Sequence, residues 1–163
     1  MRKPLGHINI DPTITNVFLD SCVFDPKYHP ADSASVELHR MYERGELILH
    51  IAHSNQKEIE HPNTPTWVKR EANKFIFTYE AQLTIDEIRK KETILQILTG
   101  DGNPESMRSD AEHVFEASKY GTYFVTTDSR ILKKKGELHN VCGITVLKPS
   151  EIMDIIQSYR AET

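Results

Sequence analysis

The chain has 163 residues, 38% of them hydrophobic and 27% charged, with Lys+Arg 20 against Asp+Glu 24. That length fits one globular domain able to bury roughly 68–70% of its unfolded surface without a covalent staple. A formal charge of −4 excludes nucleic-acid binding through bulk positive charge, two cysteines exclude a disulfide scaffold, and apolar runs of at most three residues exclude a transmembrane helix.

Met1–Thr15 shows no periodicity and reads as an N-terminal extension, with a single domain over 16–163. Asn16-Val17-Phe18-Leu19-Asp20 is a short apolar run closed by an acid, the pattern of a buried strand. Asp32-Ser33 is placed to cap a helix carrying Leu38, Met41 and Tyr42 and ending at Gly45. Leu47–Ala52 predicts a second strand, Ser54 the cap of a short helix stopping before Pro62, and Trp67 and Val68 a further helical stretch. Thr84-Ile85-Asp86-Glu87 is a capping box, in which hydroxyl and carboxylate satisfy free backbone N–H groups reciprocally. Its helix is expected to carry Ile85, Ile88, Leu95 and Leu98 on one stripe as far as Gly100. Ser109-Asp110-Ala111-Glu112 reads as a second capping box, opening a helix that turns Val114 and Ala117 inward and stops at Gly121. Tyr123–Thr126 and Ile144–Leu147 are strands, and Pro149-Ser150 opens a last helix with Ile152, Ile155, Ile156 and Tyr159 on one face. Strands and helices alternate throughout, which predicts an α/β domain with a mostly parallel, buried sheet.

In such folds ligands bind beyond the carboxyl ends of the strands. Asp20 and Asp128 stand at two such ends, Asp110 is expected in the first turn of its helix, and Glu58 lies on the short helix after the second strand. Converging carboxylates raise one another's pKa unless a cation neutralises them, and hard divalent ions prefer oxygen ligands. Taken singly, each acid has a plain structural reading: Asp110 as a favourable first-turn charge, Glu58 as a surface helix residue. Other chemistry has less behind it. Cys22 has no histidine partner at the level of sequence, and His50, His53 and His61 match no zinc spacing. His113 reads as a residue of the inner helix face, and no phosphate loop or nucleophile-elbow motif is present.

Three pieces of the chain together resemble the PIN-domain nucleases, which include VapC-type toxins. They are Val17-Phe18-Leu19-Asp20-Ser21, then Glu58-Ile59, then Asp110-Ala111-Glu112-His113 leading through Ala117 and Gly121 to Tyr123-Phe124-Val125-Thr126-Thr127-Asp128. The resemblance implies a three-layer α/β/α fold and Mg²⁺ or Mn²⁺ held by Asp20, Glu58, Asp110 and Asp128. Thr126 and Ser21 become hydroxyl helpers. Glu60 competes for the second acid, although the acid-then-aliphatic pair favours Glu58. Cys22 stands where family members often carry Asn.

The function so implied is a metal-dependent endoribonuclease that hydrolyses RNA phosphodiester bonds with an ion-activated water. Arg130, Lys133, Lys134 and Lys135 follow Asp128 and are placed to meet phosphates, although a lysine triplet also reads as a solvated patch. A toxin role implies a cognate antitoxin, and the family implies a homodimer; two reduced cysteines point to the cytoplasm and the short apolar runs to no membrane attachment. The alternative from another class is a PIN-fold scaffold that binds RNA or protein with little catalysis.

Overall fold

The computed structural model describes residues 10–20, 23, 33–64, 66–73, 75 and 82–161, with Lys57, Glu58, Trp67, Val68 and Glu71 described in backbone only. The apolar run after Thr15 forms β1 (Asn16–Leu19), in which Val17, Phe18 and Leu19 are buried on both faces. That is the composition of a central parallel strand. β1 lies between β2 (Ile48–Ile51) and β3 (Tyr123–Val125), and β4 (Thr145–Leu147) completes a sheet of order β2-β1-β3-β4 with every neighbour parallel. Leu19 is opposite both Ile51 and Val125, so the three strands end together.

Helices cover both faces, an arrangement consistent with α/β/α layering. Val17, Leu19, Tyr123 and Val125 pack with Leu38 and Met41 of α1 (Ser33–Glu43) and Ile152 and Ile156 of the last helix, α8 (Pro149–Ala161). Phe18, Phe124 and Val146 face the other way, onto α4 (Ile85–Thr99) and α5 (Pro104–Tyr120). Two short helices, α2 (Gln56–Ile59) and α3 (Thr66–Ala72), follow β2. The stretch between β3 and β4, for which the sequence suggests no element, forms α6 (Ser129–Leu132) and α7 (Lys135–Cys142), anchored by buried Ile131 and Leu138. Among the described residues no helix is long and apolar enough to cross a membrane. Residues 10–15 lie against the sheet: Pro12 is buried, the Tyr123 hydroxyl donates to the Ile10 carbonyl, and the Thr15 and Thr122 hydroxyls pair at 2.8 Å.

Two local expectations change. The Thr84 capping box forms, with Thr84 Oγ1 accepting from the Glu87 N–H at 3.1 Å and Glu87 Oε1 accepting from the Thr84 N–H at 3.0 Å. The buried stripe of α4 is nevertheless Ile94, Leu95 and Leu98, while Ile85 and Ile88 are 69% and 49% exposed, because the first turn overhangs the core. The second correction is larger. Helix α5 begins at Pro104, not at Ser109, with Asn103 accepting from the Glu105 N–H at 3.0 Å. Proline fits a first helical turn and asparagine is a strong cap, so this earlier start prevails and Asp110 falls in the helix interior.

At its other end α5 delivers the chain to β3 through a close approach to β1. Gly121 N–H donates to Ala117 O at 2.9 Å and Thr122 N–H to Asn16 O at 3.1 Å. A Cβ on Gly121 would lie 2.7 Å from Asn16 O and 2.8 Å from the Phe18 ring. Gly121→Ala is therefore expected to destabilise the domain by about 1–3 kcal/mol through overpacking. Denaturant unfolding would show a lower midpoint at unchanged m; an unchanged midpoint would mean that β1 shifts freely to admit a methyl group.

Candidate functional site

The chain runs from β1 outward to β2 and returns across β1 to reach β3, so the winding direction reverses between β1 and β3. Ligand crevices in open α/β sheets open at the carboxyl end of such a reversal. Asp20 emerges there. Its N–H donates to Val125 O at 2.9 Å, and its side chain is almost fully buried, with the residue 5% exposed. A buried carboxylate needs donors, and Thr126 Oγ1 supplies one to Asp20 Oδ2 at 2.7 Å. The same hydroxyl oxygen accepts from the Asp128 N–H at 3.0 Å, which ties the first acid to the loop bearing another.

Asp128 caps α6. Its Oδ1 accepts from the Arg130 N–H at 2.9 Å and from Nε at 3.1 Å, while Oδ2 accepts from Nη2 at 2.7 Å. That guanidinium holds the Asp128 carboxyl below its usual range. The same Nη2 is 3.6 Å from Asp110 Oδ2, so one nitrogen reaches two acids from different elements. Asp110 titrates abnormally: burial first, and then the negative charge of Asp20, push its pKa up to about 6, with His113 and Arg130 opposing and Asp128 adding to the rise. The helix-terminus stabilisation expected from the sequence is absent, since Asp110 lies well inside α5.

Helix α5 also grips the exit of β2. After Ile51 the chain enters a tight turn, His53–Asn55, that leads directly into α2. Ser54, expected as a helix cap, instead pairs its hydroxyl with the Nδ1 of buried His113 at 2.8 Å, and its N–H meets both Glu116 oxygens at 3.2 Å. Beside it Asn55 is fully buried, and neither atom of its amide has a hydrogen-bond partner among the described residues. His113 shares a helix face with Asp110, which is visible in the sequence; its pairing with Ser54, 59 residues away, is not.

Asp20, Asp110, Asp128, Thr126 and Arg130 are thus brought together. The side chain of Glu58 and the whole of Ser21 lie outside the described residues, although the Glu58 backbone sits in α2 just beyond the turn held by α5. The lysines diverge: Lys134 is 3.7 Å from Glu137, Lys135 is 3.8 Å from Glu151, and Lys133 is exposed. Among the described residues no three His, Cys, Asp or Glu side chains are close enough to hold one metal ion as they stand; a guanidinium lies between two of the acids instead. Hard divalent ions take carboxylate oxygens of this kind, but the described side chains as placed do not form a site for one. No protein-family model matches the chain, and a search of curated proteins likewise finds no match.

The raised pKa of Asp110 gives a signed consequence. In the folded state the group holds its proton to about pH 6, whereas unfolded it titrates near 3.8, so folding takes up a proton between those values and stability falls as pH rises through them. Metal-free Asp110→Asn should lack this loss and lie above wild type in relative stability at pH 7 compared with pH 4. Thermal melts of both proteins across that range would check it, and parallel curves would refute the burial argument.

Proposed function

We propose that the chain is a PIN-like, divalent-metal-dependent endoribonuclease that hydrolyses RNA phosphodiester bonds. What supports this reading is that Asp20 leaves β1 at the β1–β3 reversal and couples electrostatically to Asp110, raised to about 6 by burial and then by Asp20, with Asp128 a smaller cause. A buried carboxylate whose pKa is shifted by desolvation and by a second acid is a candidate functional group. Asp20, Asp110 and Asp128, together with Glu58, would hold Mg²⁺ or Mn²⁺, which when bound lowers the pKa of a coordinated water and offsets charge on a phosphoryl group.

The protein's own groups do the positioning. Thr126 fixes one oxygen of Asp20 and the backbone of Asp128 with a single hydroxyl, so these acids keep a common frame. Burial of Asp20 keeps it from drifting into solvent. Arg130, 55% exposed in its side chain but with Nε and Nη2 bound to Asp128, places a positive charge at the rim, and Lys133 offers a point charge one turn further on. These cations matter because the chain as a whole carries −4. A toxin partnered by an antitoxin, and a homodimer in the cytoplasm, extend the same reading. The competing reading, a non-catalytic PIN-fold scaffold, draws on the fact that Arg130 pairs with Asp128 and approaches Asp110 without any ion.

Cleavage of single-stranded RNA in Mn²⁺ separates the readings. Asp20→Asn and Asp128→Asn are each expected to slow it by at least about a hundredfold, and Glu58→Gln to do far more than Glu60→Gln. Wild-type protein that binds RNA without cutting it would favour the scaffold. Lys133→Gln should weaken RNA binding equally across sequences and reduce its salt slope by about one unit; an unchanged slope would leave Lys133 as a solvated surface residue.

A further inference from the structure

We propose that the turn between β2 and α2 is a buried hydration site, in which one or two ordered waters bind the amide of Asn55. The inference is independent of any catalytic reading of the acids. Asn55 is fully buried, and neither its Oδ1 nor its Nδ2 has a hydrogen-bond partner among the described residues. Two residues earlier, His53 Nδ1 is likewise buried and unpartnered among them. Three such polar atoms therefore fall within one turn of three residues, His53–Asn55. Buried polar groups in folded proteins are paired with protein or with ordered water, because an unpaired one carries its full desolvation cost. Two side chains so placed in a single short turn point to a bound species.

Rearranging the turn offers no escape. Ser54, between the two residues, is fixed to α5 by its hydroxyl on His113 Nδ1 at 2.8 Å and by its N–H on the Glu116 carboxylate at 3.2 Å. The Asn55 N–H donates to Ala52 O at 2.9 Å, and the Gln56 N–H donates to His53 O. Carrying the Asn55 side chain to solvent would break these bonds. The chemistry of the amide then selects its ligand. Oδ1 only accepts and Nδ2 only donates. A cation would serve Oδ1 and leave Nδ2 unpaired, and an anion would do the reverse. Water both donates and accepts, so it is the smallest species that satisfies both ends, whichever way the amide is turned. His53 Nδ1 donates or accepts according to its tautomer, so it suits a water in either orientation. The site lies at the root of α2, which begins at Gln56, where the chain leaves the sheet.

The test uses the full chain, with water itself as the probe. In wild type the Asn55 side-chain N–H₂ resonances should show a nuclear Overhauser effect to water of the same sign as those within the protein, the mark of a long-lived bound molecule. A crystal structure should show water within hydrogen-bond distance of both amide atoms. A second arm turns on a sign. Asn55→Leu matches the side chain in size and offers no polar atom. If water satisfies the amide, this variant strips the water of its partners and should unfold at a lower denaturant midpoint than wild type. If the amide has no partner at all, the same substitution removes an unmet polar group and should raise the midpoint. A lowered midpoint together with the water contact would support the proposal. A raised midpoint, an amide without a water contact, or an amide bonded only to protein groups would each overturn it. Should Asn55→Leu not fold, the contact measured in wild type decides alone.

Discussion

A single hydroxyl organises the carboxyl edge of this sheet. Thr126 Oγ1 donates a hydrogen bond to buried Asp20 and accepts one from the Asp128 N–H, across the place where the winding of the sheet reverses. An ionised carboxylate buried without donors is costly, and the cost appears as a shifted pKa or a lost fold. Here the parallel register supplies the remedy. Because Leu19 pairs with Val125, the residues that follow each strand, Asp20 and Thr126, leave the sheet side by side. A slip of β1 by one residue against β3 would turn Asp20 to the opposite face from Thr126 and leave it without its donor.

Around that edge, helix α5 acts as a common support. One of its faces carries Asp110 toward Asp20 and, one and two turns on, His113 and Glu116 toward the turn that leaves β2. Its last turn then passes so close to β1 that residue 121 must lack a side chain. Acid placement, the exit of β2 and the entry to β3 therefore share one rigid element. A change in the seating of α5 alters all three together, which ties the stability of the domain to the geometry of its candidate site.

The electrostatics of the edge are unbalanced. Asp128 is comfortable, held by Arg130; Asp110 is not, raised by burial and by Asp20. Replacing such a group by a neutral one removes the cost of ionising it in its buried place. Asn55, in the turn that follows β2, is buried with both amide atoms unpaired among the described residues. Natural sequences depart from local optimality mainly where they act on something.

What the sequence determined by itself was the alternation of strands and helices, the burial of the Val17–Leu19 run, and the position of Asp20 and Asp128 at strand ends. These are local facts, written in hydrophobic period, turn residues and run length. The start of α5 was also local, but two signals competed: Ser109 and Glu112 matched a capping pattern, while Asn103-Pro104 won because proline costs least in a first turn. Only the tertiary structure decided that Ile85 and Ile88 face solvent, that Ser54 meets His113, and that Arg130 bridges Asp128 and Asp110. Each depends on where a second element passes. Such contacts join residues tens of positions apart, whose approach is set by strand order and helix packing, and no spacing along the chain encodes it.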